Sequence, residues 1–487
     1  MSEILTNPSS NHHKVIIIGG GISGLKAAEE LIDHNLKDFK ILEARDRLGG
    51  RLHTDRTGIH GIGYNMGASW HHDTLQNPLF DEVVASGDEF ELYYDDYKLY
   101  YFGENYKPKD FDDFKVEQCV AELEKYIELE YFETIDRKDE SLHEIVMSYL
   151  FKQRKLLTEE QIQFVPQFIR HLELWHGVSW DNMSAKFSMV DNVGRNCLMK
   201  CGYDKLVNKI AKKLPKDSIE LSKVVKHIDR GGAAIDLKLE DGSSYSCDYL
   251  IVTVPQSILQ LDSELEGGIE WTPKLPSPIQ DSLNNMSFGK LGKMIFEFNE
   301  AFWKHIDYDR FVAISNPESS DIIKQLQQNI QPKVELVQES QDPKPWDFPV
   351  LILNLYKSQG VPSLLCFTQG PLTEFLETHP EMAWKYMEPI IARLVDRKEI
   401  PQPVNTIASN WTVDPFSRGS YAACLPGNDP TELVIHLARG LGKVRFAGEH
   451  TILDGAGAVH GAWMSGKREA DHVLIKLGLM EGELEEW

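Results

Sequence analysis

Cysteine is scarce in this sequence, with six residues in 487, too few for the disulfide frameworks that hold small secreted domains together. Cys119, Cys247, Cys366 and Cys424 stand alone. Cys197 and Cys201 are close, but no Cys/His pair at zinc spacing accompanies them. Two partly buried thiols in a reducing compartment are expected there, and no metal site. Basic residues are also in deficit: 51 Lys and Arg face 75 Asp and Glu, a formal charge of −24. That balance argues against a phosphate-backbone binder, and so against nucleic acid as a partner. It suits a cationic ligand, or solubility alone. Long apolar runs are missing too. No stretch approaches the roughly 20 residues of a membrane span, and Met1–Lys14 lacks the apolar core of a secretory signal. Glu485-Glu486-Trp487 is neither a peroxisomal address nor a lipid anchor. A soluble, cytoplasmic protein without a membrane partner is expected. Nothing in the sequence sets its oligomeric state.

With 42% hydrophobic and 26% charged residues, the composition is that of a globular protein, and the length implies more than one domain. Val15-Ile16-Ile17-Ile18 reads as a strand buried on both faces. Gly19-Gly20-Gly21-Ile22-Ser23-Gly24 follows at once, and Leu25 to Leu36 reads as a helix with Asn35 near its end. A second strand, Phe39 to Leu42, leads into Glu43. Strand, G-x-G-x-x-G, helix, strand and acid in this order predict a dinucleotide site. Gly19, Gly21 and Gly24 serve the tight turn, the approach of backbone to pyrophosphate and close helix packing. Ser23 opens the helix whose positive end receives the phosphates. Glu43 is placed to accept from ribose hydroxyls. This spacing alone does not separate NAD from FAD.

The next loop, Glu43-Ala44-Arg45-Asp46-Arg47-Leu48-Gly49-Gly50-Arg51, packs three arginines beside a glycine pair, groups that can fork onto phosphate oxygens and let backbone pass close to a large cofactor. Here the sequence resembles the flavin-dependent amine oxidase family, which includes monoamine oxidases, polyamine oxidases and histone lysine demethylases, along nearly the whole chain. The far end agrees. Val444-Arg445-Phe446-Ala447-Gly448-Glu449-His450 is a strand reaching an acid, and Asp454 to Trp463 is a glycine-rich bend before a helix. The resemblance implies non-covalent or covalent FAD, with Glu449 by the ribityl chain and a helix beginning near Gly457 and Ala458 aimed at the flavin ring. It implies an α/β fold: a discontinuous Rossmann-like FAD-binding domain over 12–90, 215–275 and 405–487. An inserted α+β substrate-binding domain covers 91–214 and 276–404. Leu221 to Ile228 is expected as a strand that holds adenine through backbone near Val225, and Tyr249 to Val254 as a buried strand ended by Pro255. Helices are clearest over Val116–Leu129 and Ala383–Val395. Gln328 to Pro349 reads as a surface insertion.

In Phe288-Gly289-Lys290-Leu291-Gly292-Lys293, followed by Met294-Ile295-Phe296, the resemblance makes Lys293 the lysine that bonds a water at the flavin and assists oxygen, with Lys290 on the surface. Within the family the sequence is most similar to fungal polyamine oxidases. In Gly67-Ala68-Ser69-Trp70-His71-His72-Asp73 that likeness places His72 at the substrate amine. It extends through His171-Leu172-Glu173-Leu174-Trp175-His176-Gly177 to Gly194-Arg195-Asn196. Trp175, Asn192 and Asn196 then belong to the substrate channel, Asp96 to a distal amine, and Tyr421 to the aromatic wall before the flavin. Arg51 joins the cofactor set. Three departures stand out. Ser420 occupies the place of the cysteine that carries covalent flavin, so non-covalent FAD is expected. Asn192 replaces a histidine of the yeast pattern, and Ala458 is not aromatic.

The expected activity is oxidation of a polyamine, spermine or N-acetylspermine, to spermidine plus an aminoaldehyde, with oxygen reduced to hydrogen peroxide. The alternative is a steroid-binding flavoprotein of the same family, since Trp70, Trp175 and Tyr421 would line an apolar tunnel. A lysine demethylase is disfavoured, because no chromatin-reading or long helical segment is visible.

Overall fold

The computed structural model describes residues 11–94, 98–133, 136–189, 192–200, 202–317, 321–334 and 342–483. Five parallel strands form the heart of an eight-stranded sheet: Ile219–Glu220, Phe39–Leu42, His12–Ile18, Ser244–Val252 and Val444–Phe446. The run Val15–Ile18 is fully enclosed: Phe39–Leu42 and Ser244–Val252 pair on its two edges, while Val15 and Ile17 enter the core on one face and Ile16 and Ile18 that on the other. Ile235–Leu239 and Val225–Asp229 extend the sheet antiparallel, and Glu270–Thr272 closes it.

The first helix, Ile22–Asp33, turns Leu25, Ala28 and Leu31 into the core. It ends at His34, and Asn35 takes the left-handed conformation (φ +63°) just beyond. It packs against the last helix, Val459–Lys476, through Gly466. A Cβ there would collide with the Ser23 carbonyl. The buried Lys26 side chain is held over the Trp463 ring at 4.4 Å and paired with Glu29 and Glu30.

A second, six-stranded sheet runs Asn405–Ala408, Leu291–Glu297, Ser363–Gln369, Val350–Asn354, Arg310–Ala313 and Leu99–Phe102. It is antiparallel except for its last pair. Helices Val116–Glu133, Leu142–Gln153 and Glu159–Ile169 cover one face of it, sharing an apolar core with Ile295, Val312, Leu351 and Phe367 of the sheet. A small sheet of Trp70–His71, Cys197–Met199 and Leu92–Tyr93 lies between the segments that carry the expected site residues.

The elements differ from expectation in several places: the first helix, read from Leu25 to Leu36, starts and ends three residues earlier, at Ile22–Asp33. Asn405–Ala408, expected with the FAD-binding segments, pairs with Leu291–Glu297 in the second sheet. The helix Asp204–Ala211, expected with the substrate segments, buries Leu206, Val207 and Ile210 against Leu25 and Leu31 instead. Ile279, Leu283 and Met286 likewise enter the core of the first sheet. In the last three cases an amphipathic face finds its partner at long range, which local pattern does not reveal. The strand expected at Leu221–Ile228 begins only at Val225. The chain before it bends to place Ser222 and Lys223 against the carbonyls of Arg45 and Glu43. Cys197 is fully buried rather than partly so, a small apolar core residue in a central strand. Cys201 lies outside the described residues.

One carboxylate ties the two sheets' neighbourhoods together. Glu297 is buried and accepts from Ile59 N–H (2.9 Å), His60 N–H (3.3 Å), Tyr64 Oη (2.7 Å) and Asn405 Nδ2 (2.6 Å). Burial alone would raise its pKa, but these donors outweigh it and hold the carboxyl below its ordinary 4.5. The stabilisation is therefore complete above that value and is lost as pH falls through the lowered folded value. Glu297→Ala is expected to cost about 2–4 kcal/mol at neutral pH, since it strands buried donors. Denaturant unfolding should show this difference from the parent narrowing once the pH drops below 4.5.

Candidate active site

The glycine turn between His12–Ile18 and Ile22–Asp33 is shaped by close contacts. Gly19 takes φ +106°, and a Cβ on Gly24 would strike the Gly19 carbonyl oxygen. Gly21 is the opposite case, because a Cβ there would meet nothing within 4 Å. Gly21 is also the N-cap and gives the helix no side-chain cap. Its first N–H groups therefore face open space with the positive end of the helix behind them. Ser23 is buried and its Oγ lies 3.4 Å from Ser465 Oγ of the last helix. Glu43, buried at the end of Phe39–Leu42, accepts from Gly20 N–H (2.6 Å) through Oε2 and from Arg45 N–H (2.8 Å) through Oε1. A carboxylate has about four acceptor sites, so two remain for hydroxyl donors.

The arginines of the following loop divide their work. Arg45 donates to Asp414 (2.9 and 3.1 Å) and Arg47 to the carbonyls of Leu48 and Gly50, so both brace the protein itself. Arg51 reaches across the chain to Glu449 Oε1 (2.9 Å) and the Ser420 carbonyl (2.8 Å). Glu449 is buried, and beside it both ring nitrogens of His450 are buried without a partner. Burial pulls His450 down to about 4, so the ring is neutral. The last helix starts at Ala458, which also supplies no side-chain cap. Gly457 (φ +73°) lies against the Tyr421 ring. Two uncapped helix starts, the open cradle at Gly21, an acid with spare acceptor capacity and an orphaned imidazole fit a flavin dinucleotide.

Lys293 sits in Leu291–Glu297, the strand next to one edge of the second sheet, only 4% exposed. Its Nζ donates to the Asn65 carbonyl (2.8 Å), the Gly67 carbonyl and Ser69 Oγ (2.6 Å), and it lies 4.9 Å over the Phe367 ring. Burial pulls its pKa down to about 7. Lys290 is half exposed and pairs with Glu374 at 2.7 Å.

His72 Nδ1 lies 3.0 Å from Asn196 Oδ1. An amide oxygen only accepts, so a neutral His72 carries its proton on Nδ1 and its lone pair on Nε2. Burial lowers its pKa and keeps the ring neutral at pH 7. Asn77, which caps the helix Pro78–Ala85, holds the His72 carbonyl at 2.7 Å. Tyr421 Oη donates to the Trp175 carbonyl, joining those two expected wall residues directly. Asn192 is exposed. Asp96 lies outside the described residues. The sequence reading missed the carbonyls of Asn65 and Gly67, which carry no side-chain signal. Ser69 lay in a quoted motif but was given no role.

Such a molecule has the uncapped helix starts and spare acceptors that suit a dinucleotide, and a buried lysine besides. Residues 22–474 match the family described as flavin containing amine oxidoreductase, and the chain belongs to that family. Its cofactor is therefore a flavin, FAD. The chain is 39% identical to the corticosteroid-binding protein of Candida albicans over 482 residues, 95% of this chain and 96% of the relative. It is 30% identical to polyamine oxidase 5 of Oryza sativa subsp. japonica over 494 residues, covering 96% and 89%. With lysine-specific histone demethylase 1 homolog 3 of that rice, identity is 25%, and the match spans 56% of the relative. Among the described residues no helix is long and apolar enough to cross a membrane, and no group of three or more acidic, His or Cys side chains could hold a metal ion.

Gly24→Ala tests the cradle. Its methyl would push the helix start away from the turn, so the variant is expected to purify without yellow colour. Absorbance near the flavin bands relative to protein, read against the parent, measures the loss.

Proposed function

We propose that this chain is an FAD-dependent oxidase of polyamines. It would convert a secondary amine of spermine or N-acetylspermine, with oxygen and water, into spermidine, an aminoaldehyde and hydrogen peroxide. The observation that carries the reading is that one segment, Asn65 to His72, both receives the ammonium of the buried Lys293 and carries a neutral His72 whose Nδ1 is turned to Asn196, leaving the lone pair on Nε2. When bound, FAD would supply the redox chemistry: acceptance of hydride from the carbon beside the amine nitrogen and delivery of the electrons to oxygen. The side chains do the rest. An alkylamine is protonated at neutral pH, so a proton must leave before hydride transfer, and His72 Nε2 is the acceptor for it. Lys293 holds a water at the site of oxygen reduction. Trp175 and Tyr421 form the wall against which the carbon chain lies, and Asn196 orients His72 as well as meeting substrate. Gly19, Gly21, Ser23, Gly24 and the Val225 segment carry the dinucleotide; Glu43 meets its ribose, Arg51 and Glu449 the ribityl side, and Gly457 and Ala458 the ring.

The flavin is held without a covalent bond in this reading. Ser420 stands where a flavin-linked cysteine would, and its Oγ is occupied in accepting from Leu291 N–H at 3.1 Å. Two units divide the chain, one around the parallel sheet for FAD and one around the six-stranded sheet for substrate.

A second reading is a steroid-binding flavoprotein. Its support is the relative at 39% identity that bears the name corticosteroid-binding protein, together with the aromatic residues Trp70, Trp175 and Tyr421. Anaerobic mixing with a panel of amines separates the two. Bleaching of the flavin by spermine or N-acetylspermine is expected. Steroid binding at equilibrium with no bleaching by any polyamine would replace the first reading with the second. Acid denaturation should release all of the flavin into the supernatant.

A further inference from the structure

Lys293 is held from two sides, and both holds lead to one carboxylate. On the main-chain side, Ser409 N–H donates to the Lys293 carbonyl (2.8 Å), and Ser409 Oγ accepts from Lys293 N–H (2.8 Å). On the side-chain side, the ammonium is received by the segment from Asn65 to Ser69. Trp411 Nε1 donates to the carbonyl of Met66 (2.9 Å), the residue between the two carbonyls that accept from Nζ. The Trp411 ring also flanks Gly67: a Cβ there would come within 3.2 Å of it and would collide with the Arg51 carbonyl.

Ser409 and Trp411 belong to one short segment, and Glu377 grips its two ends. This residue lies on the helix Gly370–Thr378 and is buried. One of its oxygens accepts from Ser409 Oγ. The other accepts from Thr412 N–H and Thr412 Oγ1, each at 2.6 Å. Three donors converge on a single carboxylate, which suits an acceptor-only group. Ser409 Oγ can receive the Lys293 N–H in this geometry because its own proton goes to Glu377.

We propose that Glu377 is a positioning residue for Lys293: by clamping Ser409 and Thr412 it fixes both the strand that carries the lysine and, through Trp411, the carbonyls that receive its ammonium. Glu377 reaches the chemistry only through these neighbours. The proposal rests on the reading of Lys293 as the lysine that serves oxygen reduction. A shift of about 1 Å in such a group can cost up to roughly 10²-fold in rate.

Ser409→Ala removes the acceptor for Lys293 N–H. Glu377→Gln turns part of the clamp into a donor that faces donors. Ser409→Thr keeps the hydroxyl and serves as the rescue. Three quantities are read on flavin-loaded protein: anaerobic reduction by amine, reoxidation by oxygen, and hydrogen exchange at the Lys293 amide. Ser409→Ala and Glu377→Gln are expected to slow reoxidation about tenfold or more, with amine reduction within about twofold of the parent. Exchange at Lys293 should quicken in both, and Ser409→Thr should restore both readings. Wild-type exchange at Lys293 in Ser409→Ala and Glu377→Gln would overturn the proposal. So would equal loss of both half-reactions that Ser409→Thr does not repair, the mark of general packing damage. Lys293→Met sorts the failures: if it reoxidises like the parent, the reading of Lys293 falls, and the clamp stands or falls on the exchange result.

Discussion

The rest of the molecule depends on how closely the first and last helices meet. Gly466 lies so near the Ser23 carbonyl that no side chain fits between them, and Ser465 Oγ accepts from Gly448 N–H (2.8 Å) in the same contact. Through this seam the turn after His12–Ile18 and the bend before Val459–Lys476 become parts of one wall. Arg51 and Glu449 close it, linking residues 398 positions apart. A larger residue at Gly466 would separate the helices, and with them the two uncapped helix starts.

Around that wall burial takes the charge from the imidazoles, while the buried carboxylates and basic groups keep theirs in ion pairs. His71, His72 and His450 are all pushed down by desolvation, so their rings are neutral at physiological pH. Lys293 is the marked exception in kind, a potential cation held near its titration point. An ammonium moved out of water without partners would cost several kcal/mol. Three oxygen acceptors lower that cost without a carboxylate partner, and so leave the lysine free to exist in either state. A direct ion pair would have fixed its charge.

Much of this was legible in the sequence, and the reasons are physical. The glycine turn, the first helix and Glu43 could be read because their constraints are local: a buried strand must be apolar throughout, and a tight turn admits little but glycine. His72 and Lys293 were found by likeness to a family, and the pairing of His72 with Asn196 became visible only in three dimensions. The sheet membership of Asn405–Ala408 and the packing of Asp204–Ala211 were misread because a strand or amphipathic helix does not name its partner. Glu377 had no signal at all. A glutamate on a helix is ordinary, and its role arises from residues more than thirty positions away.

The order of the strands has a consequence for biosynthesis. Leu25, Ala28 and Leu31 of the first helix share a core with Ala470, Val473 and Leu474 of the last. Ribosomes add roughly 5–20 residues per second, so the covering helix emerges tens of seconds after the face it covers. During that interval the nascent chain carries an uncovered apolar helix and a central strand lacking Val444–Phe446 beyond its neighbour. The parallel sheet and its first helix therefore cannot be completed vectorially from the N-terminus. Their completion is a late event, and a chain released before the last helix is made leaves that face exposed to chaperones or to aggregation.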